Sequence, residues 1–163
     1  MRPLTVVVIG SVLIALAGNS SAQTPAESKA IARRYFEEVL NKGDAAAIGA
    51  IVAEDVVFRN PPFVIKGLDG LRKLVVSLRA AFPDLHFTVE DEIAEGEKVA
   101  TRWVMRGTQS GALDGRPNAG KKMEVTGMDI FHITGGKIRQ VWVNMDSMGQ
   151  AQQLGWLPAP AIP

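Results

Sequence analysis

The stretch that decides the fold is KMEVTGMDIFHITGGKIRQVWVNM, residues 122–145. Two runs of β-branched and aromatic residues flank Gly135-Gly136, a pair suited to a tight turn, so the stretch predicts an antiparallel hairpin. If Thr134 pairs with Lys137, alternation of side chains between the two faces of a strand predicts one face of mixed polarity. This mixed face carries Asp129, Phe131, Gln140, Trp142, Asn144 and Asp146. Its mixture of aromatic and polar groups predicts a small-molecule pocket, in which Phe131, Trp142 and Asn144 contact the substrate. The opposite face is uniformly apolar and is predicted to pack against helices; it carries Met128, Ile130, Val141 and Val143.

The segments before this hairpin predict helices, a strand and turn in DVVFRNPPFVI that Pro61-Pro62 interrupts, and two more strands. Helical periodicity with capping and stop signals predicts helices over residues 24–43, 44–52 and 68–82. Residues 85–107 predict two strands around the turn Glu95-Gly96-Glu97. Together the pattern predicts an α+β domain over residues 23–163, in which three helices pack against one face of a curved antiparallel sheet.

Composition limits the kinds of partner. The 163 residues suffice for one domain, and 47% apolar against 21% charged residues is typical of a globular chain. Lys and Arg total 18 against 17 Asp and Glu, which gives a formal charge of +1. Because no basic surplus exists, the sequence argues against nucleic acid as a partner.

The N-terminus predicts export. Arg2 precedes an apolar run from Leu4 to Ala17, and small residues follow up to Ala22. This pattern is typical of a signal peptide over residues 1–22, cleaved after Ala22, and the apolar run is too short for a membrane-spanning helix. The expected location is therefore periplasmic or secreted, with no membrane contact after cleavage.

Several chemistries are disfavoured by the residues present. His86 and His132 are the two histidines and there are no cysteines, so no metal site is predicted. A serine hydrolase is disfavoured, because Ser110 in GTQSG stands one place off the serine of a nucleophile elbow. A phosphate-binding loop is disfavoured in GRPNAGKK, because Lys122 stands where such a loop needs Ser or Thr.

After these exclusions, acid–base catalysis by carboxylates is the chemistry that the sequence favours. Asp146 in an apolar recess near Trp142 would have its pKa raised by desolvation, and Asp129 nearby would raise it further. The alternative has equal standing on spacing: Asp146 or Ser147 caps the helix that begins at SMGQAQQLG, with Gln150 completing a capping box. Asp129 could likewise be satisfied by backbone amides at a strand irregularity.

Seven segments taken in order resemble the SnoaL-like polyketide cyclases, or ester cyclases, of the nuclear transport factor 2-like superfamily. They are YFEEVLNKGD, AAFPDLHFTVED, AEGEKVATRW, GTQSG, GKKMEVTGMDIF, GGKIRQVW and MDSMGQAQQLGWLP. The resemblance spans about residues 30–158 and implies a cone-shaped curved sheet closed by three helices.

The resemblance also implies an activity: an aldol-type ring closure of a small hydrophobic molecule, without cofactor or metal. Asp146 matches the family's acid–base aspartate, and Asp129 would be a second pocket group. Tyr35 and Trp142 would be pocket walls and hydrogen-bond donors. Cone folds of this kind often dimerise through the outer face of the sheet, so a homodimer is one expected assembly.

Two departures keep other functions open. Gln109 stands where the family commonly has a histidine, and glutamine can bind an oxyanion but cannot move a proton. Export also separates the chain from cytoplasmic polyketide assembly. The alternative is a periplasmic protein that binds a small molecule without turnover. Epoxide opening would need an arginine between two aspartates, for which Arg102 and Arg106 are the candidates.

Overall fold

The computed structural model describes residues 23–113, 115–117 and 120–158. The predicted signal peptide and its cleavage site lie outside the described residues. Within the described part of the chain, no helix is long and apolar enough to cross a membrane.

The helices form where capping and periodicity predict them. Helix α1 begins with a complete capping box, in which the Thr24 hydroxyl accepts from the Glu27 amide and the Glu27 carboxylate accepts from the Thr24 amide at 2.8 Å. It continues directly into a π-helical segment. The bounds are α1 Pro25–Arg34, the π-helix Tyr35–Asn41, α2 Ile48–Ile51, α3 Gly67–Ala81 and α4 Ser147–Gln153.

Among the described residues, six strands form one mixed sheet in the order β2-β1-β6-β5-β4-β3. Their bounds are β1 Val52–Asn60, β2 Phe63–Lys66, β3 His86–Glu95, β4 Lys98–Thr108, β5 Lys122–Thr134 and β6 Lys137–Met145. Four neighbouring pairs are antiparallel, whereas β1 and β6 run parallel. The predicted α+β class is confirmed; the parallel pair was not predicted, because no turn connects strands so far apart in sequence.

The β5–β6 hairpin contains a bulge that the predicted register lacks. Thr134 pairs with Lys137 and Ile133 with Ile138, as predicted, but His132 then pairs with Gln140. One extra residue, Arg139, therefore lies on β6, and every later residue of that strand changes face relative to β5. The predicted mixed face is thus wrong.

The inner, helix-covered face is the face of β5 that carries Asp129. Met123, Val125, Gly127, Asp129, Phe131 and Ile133 are all buried, and Val141 and Val143 of β6 lie beside them. Met128 and Ile130 instead face outward and are 57% and 45% exposed. The prediction that Met128 and Ile130 pack against helices is therefore corrected.

Candidate functional site

A cavity of about 360 Å³ lies on the concave side of the sheet. The inner faces of the strands, the π-helix, α3 and β2 supply its walls. Most of its lining is apolar: Leu40, Phe58, Phe63, Val64, Ile65, Leu74, Leu78, Phe87, Met105, Leu113, Val143 and Met145. A smaller polar set completes it: Tyr35, Asn60, Ser77, Trp103, Asp129 and Gln150. Apolar walls with a few polar groups are typical of small-molecule sites.

Asp129 is the buried carboxyl group of this cavity. It is 4% exposed, and its Oδ1 has no hydrogen-bond partner among the described residues. Burial raises the pKa of Asp129 from 3.8 to about 7, and an interaction with the indole N–H of Trp103 acts in the opposite direction. Backbone amides therefore do not satisfy Oδ1, and Asp129 can exchange a proton near neutral pH.

Two uncharged polar groups on β4 lie on the same inner face. Thr101 pairs with Asp129 across the β4–β5 ladder, and Trp103 pairs with Gly127. Both are buried, and neither Thr101 Oγ1 nor Trp103 Nε1 has a hydrogen-bond partner of normal geometry within the described residues. Since an unpaired buried polar group costs about 1–3 kcal/mol, such groups beside a cavity are candidates for ligand contact.

Gly127 explains how the indole fits beneath the cavity. A Cβ atom at this position would lie 2.3 Å from two ring carbons of Trp103 and 2.9 Å from the backbone oxygen of Asn144. Any side chain would therefore displace the ring. The absence of a side chain at Gly127 allows Trp103 to pack flat against β5, next to Asp129.

Tyr35 is a neutral donor at the same site. It is the first residue of the π-helix and is 1% exposed, with its ring packed edge-on against Phe131 at a centroid distance of 5.6 Å. Burial raises the pKa of Tyr35, and the nearby Asp129 charge raises it further. The phenol therefore keeps its proton. π-Helical turns are rare and frequently mark functional sites.

Two half-buried amides also line the cavity. Asn60 Nδ2 contacts the Met145 sulfur at 3.8 Å, and Gln150 Nε2 contacts the Met123 sulfur at 3.3 Å. Thioether sulfur is a weak acceptor, so both amides can exchange this contact for a better ligand acceptor at little cost.

Asp146 lies outside the cavity, and its predicted placement in an apolar recess is wrong. The residue is exposed and forms the N-cap of α4, where its Oδ1 accepts from the Gly149 amide at 2.7 Å. A Cβ atom on Gly149 would lie 2.0 Å from Oδ2, so the glycine leaves room for this cap. The capping alternative is the arrangement found, although Gln150 contacts Met123 instead of completing a capping box.

Trp142, Asn144 and Phe131 do not line the cavity either. Because of the bulge, Trp142 and Asn144 face outward. The Arg59 guanidinium lies over the Trp142 ring, with its Cζ 5.3 Å from the ring centroid, and Asn144 is exposed. Phe131 faces inward but is fully buried behind Tyr35 and Phe36. Their predicted contact with substrate is corrected.

Gln109 is buried away from the cavity lining. Its Nε2 donates to the carbonyl oxygens of Gly111 and Pro117, both at 3.2 Å. With both amide hydrogens used on its own loop, the side chain holds the loop and does not donate to a substrate oxyanion. The prediction of an oxyanion contact is therefore not supported by the geometry.

The arginines needed for epoxide opening are also outside the cavity. Arg102 pairs with Glu90 and Arg106 with Glu124, all at exposed or partly exposed positions. Within the described residues, no group of three or more histidine, aspartate or glutamate side chains is placed to hold a metal ion.

The sequence did not predict four polar residues of the site. Asn60, Trp103 and Gln150 line the cavity, and Thr101 pairs with Asp129 on the inner face of the sheet. The signal for two of them was present in β4. Val99, Thr101, Trp103 and Met105 alternate with Ala100, Arg102 and Val104, and pairing β4 with β5 places the first set beside Asp129. The alternation within β4 could be predicted from the sequence, whereas the register in which β4 pairs with β5 could not.

A family model described as SnoaL-like polyketide cyclase matches residues 30–154. No curated protein matches the chain at a significant level. Among solved structures, TsrD from Streptomyces laurentii is 28% identical with a TM-score of 0.75, covering 82% of this chain and 98% of that one.

Two further solved structures carry different assignments. IdmH from Streptomyces antibioticus, proposed to be a polyketide cyclase, is 28% identical with a TM-score of 0.68, covering 78% of this chain and 98% of its own. AclR from Streptomyces galilaeus, proposed to be a hydroxylase, is 25% identical with a TM-score of 0.74, covering 86% and 87%. Proteins similar to this chain thus carry more than one assigned activity.

The cap predicts a structural effect of Asp146. Asp146→Ala should lower the free energy of unfolding by about 1 kcal/mol, because the Gly149 amide loses its acceptor. Asp146→Asn should preserve stability, since asparagine caps helices as well as aspartate does. Urea unfolding of both variants checks this; equal stability of the alanine variant and the wild type would contradict the cap.

The burial of Asp129 predicts a pH-dependent stability. Between about pH 4 and 7 the folded protein keeps Asp129 protonated whereas the unfolded chain ionises it, so stability falls as pH rises. Asp129→Asn does not titrate. The free energy of unfolding of Asp129→Asn minus that of the wild type should therefore increase from about pH 4 to about pH 7. The total increase should be on the order of 4 kcal/mol, and the difference should stay constant at higher pH.

Urea unfolding at pH values in steps of about one unit, from roughly 4.5 to 8.5, measures this difference. Asp69→Asn is the matched control, because it makes the same chemical change at a side chain that is 88% exposed and paired only with Arg72 at the surface among the described residues. A flat difference for Asp129→Asn would mean that the Asp129 carboxyl group is hydrated in the folded protein.

Proposed function

Because the chain belongs to the SnoaL-like polyketide cyclase family, we propose that it is a cofactor-independent cyclase or isomerase with Asp129 as its acid–base group. Family membership supports a cyclase- or isomerase-type function. The observation that supports Asp129 is its buried carboxyl group in an apolar cavity: Oδ1 has no hydrogen-bond partner among the described residues, and the indole of Trp103 lies beside it.

The first step is proton abstraction from carbon. The Asp129 carboxylate takes a proton from the carbon next to a carbonyl group, and the C–H electron pair moves to form an enolate. The indole N–H of Trp103 and the phenol of Tyr35 line the same cavity and can donate hydrogen bonds to the developing oxyanion. Both groups are buried and uncharged, so they favour the enolate without competing for its proton.

The second step returns the proton. In a cyclisation, the enolate carbon attacks a second carbonyl carbon of the same molecule, and the resulting alkoxide takes the proton from Asp129. In an isomerisation, another carbon takes it. A group with a pKa near the working pH serves both steps, since it is a usable base and a usable acid.

The cavity supports a small hydrophobic carbonyl compound as substrate. Its volume of about 360 Å³ lies at the lower end of the range for ligand pockets, and its lining is mostly apolar. The walls supply burial energy, while the few polar groups near Asp129 orient the reacting oxygen.

A second candidate function is ligand binding without turnover. The observation that favours it is Gln109, which replaces the family histidine and spends its amide hydrogens on its own loop. In that case the same cavity would bind the same class of carbonyl compound, and Asp129 would act only as a hydrogen-bonding group.

Export belongs to this proposal. Arg2, the apolar run and the small residues before Gln23 support secretion with cleavage after Ala22. Expression of the full chain in a bacterial host should yield a periplasmic protein that begins at Gln23 by N-terminal sequencing. An intact N-terminus in the cytoplasm would contradict export.

Proton abstraction can be tested separately from ring closure. With substituted 3-oxo esters in D2O, the wild type should accelerate exchange of the hydrogen between the two carbonyl groups above the uncatalysed rate, as followed by NMR. Its kcat/KM should rise with pH up to about 7 and then level off, because the ionised form of Asp129 is the base. Asp129→Asn should lose at least about 100-fold.

Asp146→Asn is the matched control for this experiment, since it removes a carboxyl group from the end of the same hairpin but keeps the cap. It should retain wild-type exchange, and also wild-type ring closure on a 3-oxo ester that carries a further carbonyl group, followed by chromatographic separation of the cyclic product from its isomeric substrate. Binding of the esters without exchange by the wild type would favour the binding-protein function. Loss of activity in Asp146→Asn would overturn the assignment to Asp129.

A further inference from the structure

The cavity has a polar inner end and an apolar outer end. Tyr35, Trp103 and Asp129 are 1%, 2% and 4% exposed, so the groups proposed to handle the carbonyl lie deep. Phe63 and Val64 line the same cavity but are 60% and 57% exposed. A residue that both lines a cavity and contacts solvent stands at its mouth.

The β1–β2 hairpin holds these two residues in place. β2 is an edge strand of the sheet, and Phe63 pairs with Asn60 at the closed end of the hairpin. Ile65 is partly buried against the core. Its side chain packs closely on Gly70 of α3, since a Cβ atom on Gly70 would lie only 2.6 Å from Ile65 Cγ2. The base of the hairpin is thus anchored on α3, while its tip presents apolar side chains at the opening.

A ligand confined to the inner cavity would leave Phe63 and Val64 in water. A longer ligand would cover them, and covering apolar surface favours binding in proportion to the area removed from water. Because both residues are continuous with the cavity wall, the occupant that fits them is the outer part of the molecule bound inside.

We propose that Phe63 and Val64 form an outer subsite for the apolar end of an elongated substrate whose enolisable carbonyl lies at Asp129. The direction of the ligand rests on the proposed function, which assigns the reacting oxygen to the inner end. The substrate class is therefore an amphipathic keto ester with its apolar group distant from the reacting carbon, in preference to a compact dicarbonyl compound.

The half-buried amides fit the same orientation. Asn60 and Gln150 are intermediate in exposure between the Asp129 end and the Phe63 end. Within the described residues, a methionine sulfur is the hydrogen-bond partner of each side-chain amide. They can donate to a second oxygen placed between the reacting carbonyl and the apolar end, such as an ester carbonyl.

A series of 3-oxobutanoate esters with ethyl, butyl, hexyl and octyl chains tests the outer subsite. Binding to the purified mature protein is measured by calorimetry. For wild type, affinity should rise with chain length by about two- to fourfold per methylene. For Phe63→Ser/Val64→Ser, the ethyl ester should bind as to wild type, whereas the gain from butyl to octyl should be lost.

Val76→Ser is the matched control, because Val76 is 59% exposed but lies on α3 outside the cavity lining. It should keep the wild-type dependence on chain length. Val64→Ser alone should lose part of the dependence, which serves as the readout if the double variant does not fold.

Three results would overturn the subsite. The first is an unchanged dependence of affinity on chain length in the double variant. The second is an equal loss of this dependence in Val76→Ser. The third is a double variant that binds the esters like the wild type but loses self-association or binding to phosphatidylcholine vesicles. The proposed function fails by a different measurement, namely no exchange by wild type on esters that bind. Graded binding without exchange would therefore sustain the subsite and reject the enzyme.

Discussion

The site depends on one constraint: a carboxyl group is held on the inner face of the sheet with an oxygen that nothing in the described protein satisfies. Water would stabilise the ionised form of Asp129. The fold limits its access, because Tyr35 of the π-helix packs on Phe131 of β5 and residues of α3 form part of the same cavity wall. The cost appears as a pKa raised to about 7. Thr101 and Trp103 add two more buried polar groups next to it that have no hydrogen-bond partner of normal geometry within the described part of the chain. The core is locally less stable than an apolar one of the same shape, and that cost is understandable if a ligand supplies the missing partners.

A single inserted residue decides which side chains reach this site. Arg139 adds one residue to β6, so that Val141 and Val143 join Asp129 on the inner face and Trp142 turns outward. In the bulge-free register, Trp142 would lie directly beside Asp129 and the two valines would face outward. The bulge thus separates an apolar inner wall from an outer face where Trp142 stacks on Arg59. It also explains why Asp146, at the end of the same strand, is free to cap α4.

Much of the fold could be predicted from the sequence, because its signals are local. The capping box at Thr24, the Gly135-Gly136 turn and the periodicity of α3 each involve residues within a few positions of one another. The bulge and the parallel β1–β6 pair could not be predicted, since a bulge requires no special residue and pairing of distant strands leaves no local mark. Asp146 shows the same limit at the site: a cap to Gly149 and a place in a pocket are equally compatible with its spacing, and only the fold distinguishes them. The family resemblance gave the architecture, whereas Asp146, the residue to which it assigned the acid–base role, lies outside the cavity and caps α4.

The composition of the cavity narrows the chemistry further. Among the lining residues that the structure describes, Asp129 and Tyr35 are the titratable ones, and Tyr35 keeps its proton. A proton taken by Asp129 must therefore return to the same molecule or leave through solvent, since no neighbouring side chain of the lining can take it. This arrangement suits reactions whose product is an isomer of the substrate, such as ring closure of an enolate onto its own carbonyl. It also favours carbon acids flanked by two carbonyl groups, because a base with a pKa near 7 and neutral donors gives limited help to a weakly acidic C–H bond. The buried carboxyl group, the neutral donors and the small apolar volume thus all favour the proposed substrate class, a small hydrophobic carbon acid flanked by two carbonyl groups.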